Sequence, residues 1–287
     1  MGRVTDAATV DDAPVVQTDL FLPTTLGAAA VVGAALAIAA RAGATPLLIA
    51  IAVVQALVAL SWVFGTVMPG RRGAVVLAAL ASAGADVAVS VWPHGKLGTL
   101  LAVLGLAVPA MFVHQLTRGA ARVQVVSSMA ATALLILAEV SLPALLQLRH
   151  EFGAGDLGGK VVATAAAAMG GALVIGCLVD LVLPAPRFDP VVPRGLLALI
   201  ASGGLGGSVG YLMLRGQAEF LGGRSAFMGA ALGALTGLLA VATAFVLYST
   251  PQPTGGLGRG VRPLLSAVLP VVLLSPVAFL LCLAIRS

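Results

Sequence analysis

Long apolar runs alternate with short polar breaks along this 287-residue chain. The runs are close to 20 residues, the length an α-helix needs to cross the hydrocarbon of a bilayer. Nine are predicted, at about 24–40, 46–68, 73–92, 97–116, 123–148, 160–183, 195–214, 225–249 and 263–285. Strict apolar–polar alternation is absent, which argues against a transmembrane β-barrel. The predicted fold is all-α, a polytopic transmembrane helix bundle with Ala/Gly-rich packing.

The breaks carry the signals that end helices. Pro69-Gly70-Arg71-Arg72, Trp92-Pro93-His94-Gly95-Lys96 and Arg149-His150-Glu151 close three of the runs. None of the breaks is long enough for a second folded unit, so residues 24–287 are expected to form one membrane domain. Residues 1–23 hold Asp6, Asp11, Asp12 and Asp19 against a single Arg3, and read as a disordered acidic tail. A signal peptide would need a basic stretch directly before its apolar core.

Composition sharpens this picture. Sixty per cent of residues are hydrophobic and only 9% are charged, with a mean hydropathy of +1.09. Soluble domains carry roughly 25% charged residues. The net charge of +5 does not point to nucleic acid, because the basic residues flank the spans singly or in pairs. Nine basic residues fall on the N-terminal side of the spans: Arg3, Arg71, Arg72, Arg118, Arg122, Arg187, Arg194, Arg259 and Arg262. Seven fall on the other: Arg41, Lys96, Arg149, Lys160, Arg215, Arg224 and Arg286. The positive-inside rule then favours a cytoplasmic N-terminus. The Ala- and Val-rich composition suggests a bacterial cytoplasmic membrane. The partner expected for the whole surface is the lipid bilayer.

Three acids stand inside apolar runs: Asp86, Glu139 and Asp180. Each costs about 2.5–3.5 kcal/mol at the centre of a membrane helix, which makes an intramembrane acid a candidate functional group. Apart from Lys160 at the very start of the sixth run, no Lys or Arg lies within a predicted span to pair with them. A carboxyl there is expected to carry a proton or to find hydroxyl donors. Helical spacing supplies candidates: Ser82, Asp86 and Ser90 share one face, as do Ser128, Thr132 and Glu139. Counting ~1.5 Å per residue, Asp86 lies about 20 Å and Glu139 about 24 Å from their starting flanks, a matched depth. These six residues form the candidate transport or polar site. Asp180, four residues before Pro184, is expected at the interface, on the same side as His114. His94, His114 and His150 read as interfacial side chains rather than metal ligands.

Cys177 and Cys282 lie in apolar runs and behave as small hydrophobes. With no CxxC or Cys/His spacing, no metal or cofactor site is expected. Walker, HExxH and GxSxG motifs are absent, and residues 250–287 contain no acid and no His. The seventh and eighth runs carry Gly203/Gly207, Gly206/Gly210 and Gly229/Gly233/Gly237 at four-residue steps. Such spacing predicts a closely packed helix hairpin, or faces that bind a membrane partner or a second copy. Pro270 and Pro276 predict a discontinuous ninth span.

Three functions compete on these residues. A small transporter would use Asp86 and Glu139 facing one internal, water-reachable cavity. A non-catalytic membrane subunit would leave a small-residue face uncovered. A lipid-modifying enzyme would gather Asp180, His114, Arg118 and Arg187 at one interface.

Overall fold

The computed structural model describes residues 21–67, 70–93, 97–118, 124–153, 155–183, 185–189, 192–250 and 256–286. Residues 1–20, His94 and Lys96 lie outside it. Helices α1 (Phe21–Ala42), α2 (Ala44–Gly65), α3 (Arg71–Val91), α4 (Gly98–Thr117) and α5 (Val125–Ser141) follow one another. Next come α6 (Ala144–Glu151) and α7 (Asp156–Val182), then a two-stranded hairpin of β1 (Arg187–Asp189) and β2 (Val192–Gly195). Helices α8 (Leu196–Leu214), α9 (Arg224–Ser249) and α10 (Gly256–Arg286) complete the chain. Among the described residues, nine helical segments are long and apolar enough to cross a membrane, with α5 and α6 forming one of them. The described residues thus form an all-α bundle, with one short β hairpin, whose long helices have the length and apolar character to cross a membrane.

Two helices organise the bundle. Helix α7 packs on α1, α8 and α9, and α10 packs on α1, α2, α5, α6, α7 and α9. Helix α4 is peripheral and touches α3 and α5. Large apolar side chains such as Ile38, Leu80, Leu106, Val126 and Phe227 point outward. In water such a surface would be unfavourable; in lipid it costs nothing.

Small residues set the closest approaches. At the α1–α7 crossing, a Cβ on Gly33 would sit 2.8 Å from the Gly170 Cα. The α8–α9 hairpin is tighter still. A Cβ on Gly206 would overlap the Gly229 carbonyl oxygen, and one on Gly229 would overlap the Gly206 carbonyl oxygen. Gly210 meets Ser225 and Gly233 meets Ser202 in the same way. The glycine spacing therefore serves a contact inside the chain. Gly203 and Gly207 flank this seam and meet Ala234 and Ala230 instead.

Three boundaries differ from expectation. Helix α1 begins at Phe21, so residues 21–23 are helical and not part of the tail. Pro23 is accommodated because a first-turn residue has no intrahelical N–H bond to lose. The fifth span breaks at Leu142-Pro143 into α5 and α6, where the proline ends one ladder and opens the next. The ninth span is not discontinuous: α10 runs unbroken through Pro263, Pro270 and Pro276. Its packing against six other helices, α1, α2, α5, α6, α7 and α9, holds it together despite the lost donors.

At the end of the bundle where α1 stops, arginines cap helix C-termini. Arg149 donates to the Ala40 carbonyl, Arg224 to Ile285 at 3.2 Å, and Arg286 to Glu151 at 3.1 Å. Each places positive charge on carbonyls that have no intrahelical partner. Asp156 opens α7 and pairs with Arg41 at 2.6 Å and Lys160 at 2.5 Å. Asp156 and Arg41 are exposed and Lys160 is partly so, so Asp156→Asn is expected to leave thermal stability nearly unchanged; a large fall in melting temperature would show that the trio holds α1 to α7.

Candidate functional site

The Ala74–Ala78–Ala81–Ala85–Ala88 face of α3 is buried and lets neighbouring backbones come close. Asp86 is one residue off this seam and half-buried. On α5, Ser128, Thr132, Leu135, Ile136 and Glu139 form the buried stripe. Both helices pack against α2, and there the side chain of Gln55 stands between them. Its amide nitrogen donates to Asp86 Oδ1 at 3.3 Å and to the Glu139 carbonyl at 3.0 Å. One amide therefore links the Asp86 carboxyl to the backbone of Glu139.

Glu139 is the exceptional group. It is 1% exposed, and neither carboxyl oxygen has a hydrogen-bond partner among the described residues. Asp86 is its electrostatic neighbour. Two neighbouring carboxylates repel unless a proton or a cation neutralises one of them, and among the described residues no Lys or Arg pairs with either. The Gln55 amide is neutral and is already engaged with the Asp86 carboxyl and the Glu139 carbonyl.

The hydroxyl stripes do not serve the acids. Ser82 donates to Ala79, Ser90 to the Asp86 carbonyl and Thr132 to the Ser128 carbonyl, each within its own helix. Ser128 lies 11 residues from Glu139, or about 16 Å along the helix. It belongs to another cluster, accepting from Gln115 at 3.2 Å and from Arg118 at 3.0 Å. Arg118 also reaches Gln115 Oε1 at 2.8 Å and covers Gly70, whose φ of +76° favours glycine.

Asp180 is buried, and it departs from expectation in having a cation. Arg194 Nη1 lies 3.4 Å from Asp180 Oδ2, with both side chains at most 4% exposed. The Gly195 backbone N–H donates to Asp180 Oδ1 at 2.9 Å. Arg194 comes from β2, outside the spans; the hairpin folds it back onto α7, where it also meets Cys177 at 3.2 Å. A cavity of about 10 Å³, lined by Arg194, Gly195, Ala198, Ser202 and Gly237, adjoins it. That is room for about one water.

His114 is not brought to this cluster. Its imidazole lies over Gly73, where a Cβ would overlap it, and it borders an open groove of about 630 Å³ between α3 and α4. Asp180 and Arg187 stand beside α8, while His114 and Arg118 stand on α4. The contacts the lipid-enzyme reading requires are not among these. No group of three or more His, Cys, Asp or Glu forms among the described residues. Neither cavity opens onto Glu139.

Gln55, Arg194 and Arg262 are buried polar groups beyond the three acids. Gln55 carries a signal in the sequence, an amide in the middle of an apolar span. Arg194 and Arg262 looked like span flanks and are buried instead. Comparison with protein-family models, with curated proteins and with solved structures finds no match to this chain.

Proposed function

We propose that this protein is a small membrane transporter that moves a proton or small cation through the Asp86–Gln55–Glu139 cluster. The observation carrying this reading is Glu139, a carboxyl closed off at membrane depth with no hydrogen-bond donor among the described residues. A purely structural acid would be satisfied by donors, as Asp180 is by Arg194 and Gly195. Glu139 instead keeps both oxygens for a cation. Asp86, half-buried, is the member through which that cation enters or leaves, and Gln55 ties the two helices at the right depth. On this reading, the cation reaches Glu139 through a movement of the helices that bury it.

The nine-to-seven distribution of basic residues supports a cytoplasmic N-terminus, and composition supports a bacterial cytoplasmic membrane. A partner-binding subunit has weaker support, because the glycine seams close inside the chain.

Vesicles loaded with a pH-sensitive dye test the reading. With the voltage clamped, wild-type protein is expected to dissipate an imposed pH or cation gradient faster than empty vesicles. Asp86→Asn is expected to lose most of that rate. Wild-type rates equal to empty vesicles for protons and for the common monovalent and divalent cations would reject transport.

A further inference from the structure

A second set of buried polar groups lies at the opposite end of the bundle from the arginine caps, where α1 begins. Arg194 sits in β2, which packs on α9. Tyr248 is in the last turn of α9, and Arg262 and Ser266 are one turn apart near the start of α10. Tyr248 lies within electrostatic reach of both guanidinium groups. Its ring packs on Phe21, with centroids 5.7 Å apart, and Arg262 packs against Gly65. The ends of α1, α2, α9 and α10 and the β2 strand thus converge on one place.

The polar atoms there are left over. Arg194 Nε and Nη2, Arg262 Nη1, Tyr248 Oη and Ser266 Oγ are buried, with no hydrogen-bond partner among the described residues. Arg194 and Arg262 are 3% and 5% exposed. Asp180 engages Arg194 through Nη1 alone, and Arg187 adds a further positive charge beside that carboxylate. The site is therefore rich in donors and in positive charge. Buried N–H groups without acceptors are costly, so a ligand that supplies several anionic oxygens would relieve the cost at once. Guanidinium forks match the oxygens of a phosphate group in geometry as well as charge.

From this constellation we infer that Arg194, Tyr248, Arg262 and Ser266 form a binding site for a phosphate group, separate from the Asp86–Gln55–Glu139 cluster. The phosphate belongs to a lipid headgroup or to a free phosphate ion. The position at the membrane ends of α9 and α10 puts both within reach.

Thermal melting of the purified protein in neutral detergent tests this. One arm adds sodium phosphate against sodium chloride of equal ionic strength. The other adds short-chain phosphatidylglycerol against a phosphate-free monoacylglycerol. The wild-type melting temperature is expected to rise by about a few degrees with at least one phosphate bearer. A rise with the lipid alone identifies a headgroup site, and a rise with both identifies a site for the phosphate group itself. Tyr248→Phe and Arg262→Gln are each expected to lose at least half of the rise. Tyr248→Phe removes only an oxygen without a described partner, so it should fold normally. No rise in the wild type overturns the inference. So does an equal rise with chloride or the phosphate-free lipid, or an undiminished rise in both variants.

Discussion

Arg194→Met is expected to destabilise the protein by about 3–5 kcal/mol, the usual cost of removing one partner of a buried ion pair. Asp180 would keep the Gly195 N–H at 2.9 Å but lose the guanidinium at 3.4 Å. The cost arises from the carboxylate left behind, not from the strength of the pair. The double variant Asp180→Asn/Arg194→Met should therefore recover most of the loss, because no charge remains buried and the asparagine oxygen still accepts from Gly195. Asp180→Asn alone should cost less than Arg194→Met if a phosphate group can share the guanidinium. Unfolding titrations in mixed detergent measure all three. A double variant less stable than Arg194→Met would show that the pair contributes attraction beyond mutual neutralisation.

The second large effect lies in the α8–α9 seam. Gly206 and Gly229 face each other backbone to backbone, so a methyl group on either overlaps a carbonyl oxygen that cannot rotate away. Gly206→Ala is expected to force the helices apart and to cost about 1–3 kcal/mol, the range for overpacking, with Gly206→Leu at or beyond the upper end. Gly204 provides the internal control. It lies on the same helix, is exposed and has nothing within 4 Å of a built Cβ. Gly204→Ala should be neutral or should stabilise by up to about 1 kcal/mol, through helix propensity alone. Equal effects at the two glycines would mean that the seam is not the source of the loss.

Sequence and structure agree where the physics is local or periodic. Spans follow from runs of apolar residues, and the glycine seam follows from four-residue spacing, which places Gly206 and Gly210 on one face. The shared stripe of Ser128, Thr132 and Glu139 follows from helical geometry. What spacing could not tell is which neighbour each stripe meets. Ser128 and Glu139 share a face, yet one meets Arg118 and the other lies near Gln55, because a helix of this length touches different partners at its two ends.

The largest surprises came from chain reversal. Arg194 and Arg262 sit in sequence where topology signals belong, and only the β1–β2 hairpin and the backward extension of α10 bury them. Pro270 and Pro276 predicted a broken helix, since proline removes donors. The environment overruled this, because six packed helices hold α10 in place.

Glu139→Gln in dye-loaded vesicles tests the central claim most directly. The substitution keeps size and polarity but removes the titratable, negatively charged carboxylate. Folding is confirmed by an unchanged helical circular-dichroism spectrum and melting temperature. Against a wild-type rate well above empty vesicles, flux through Glu139→Gln is expected to fall to the leak of the empty vesicles. Flux equal to wild type from a folded Glu139→Gln protein would contradict the account, because it would show that the cation passes without the carboxyl.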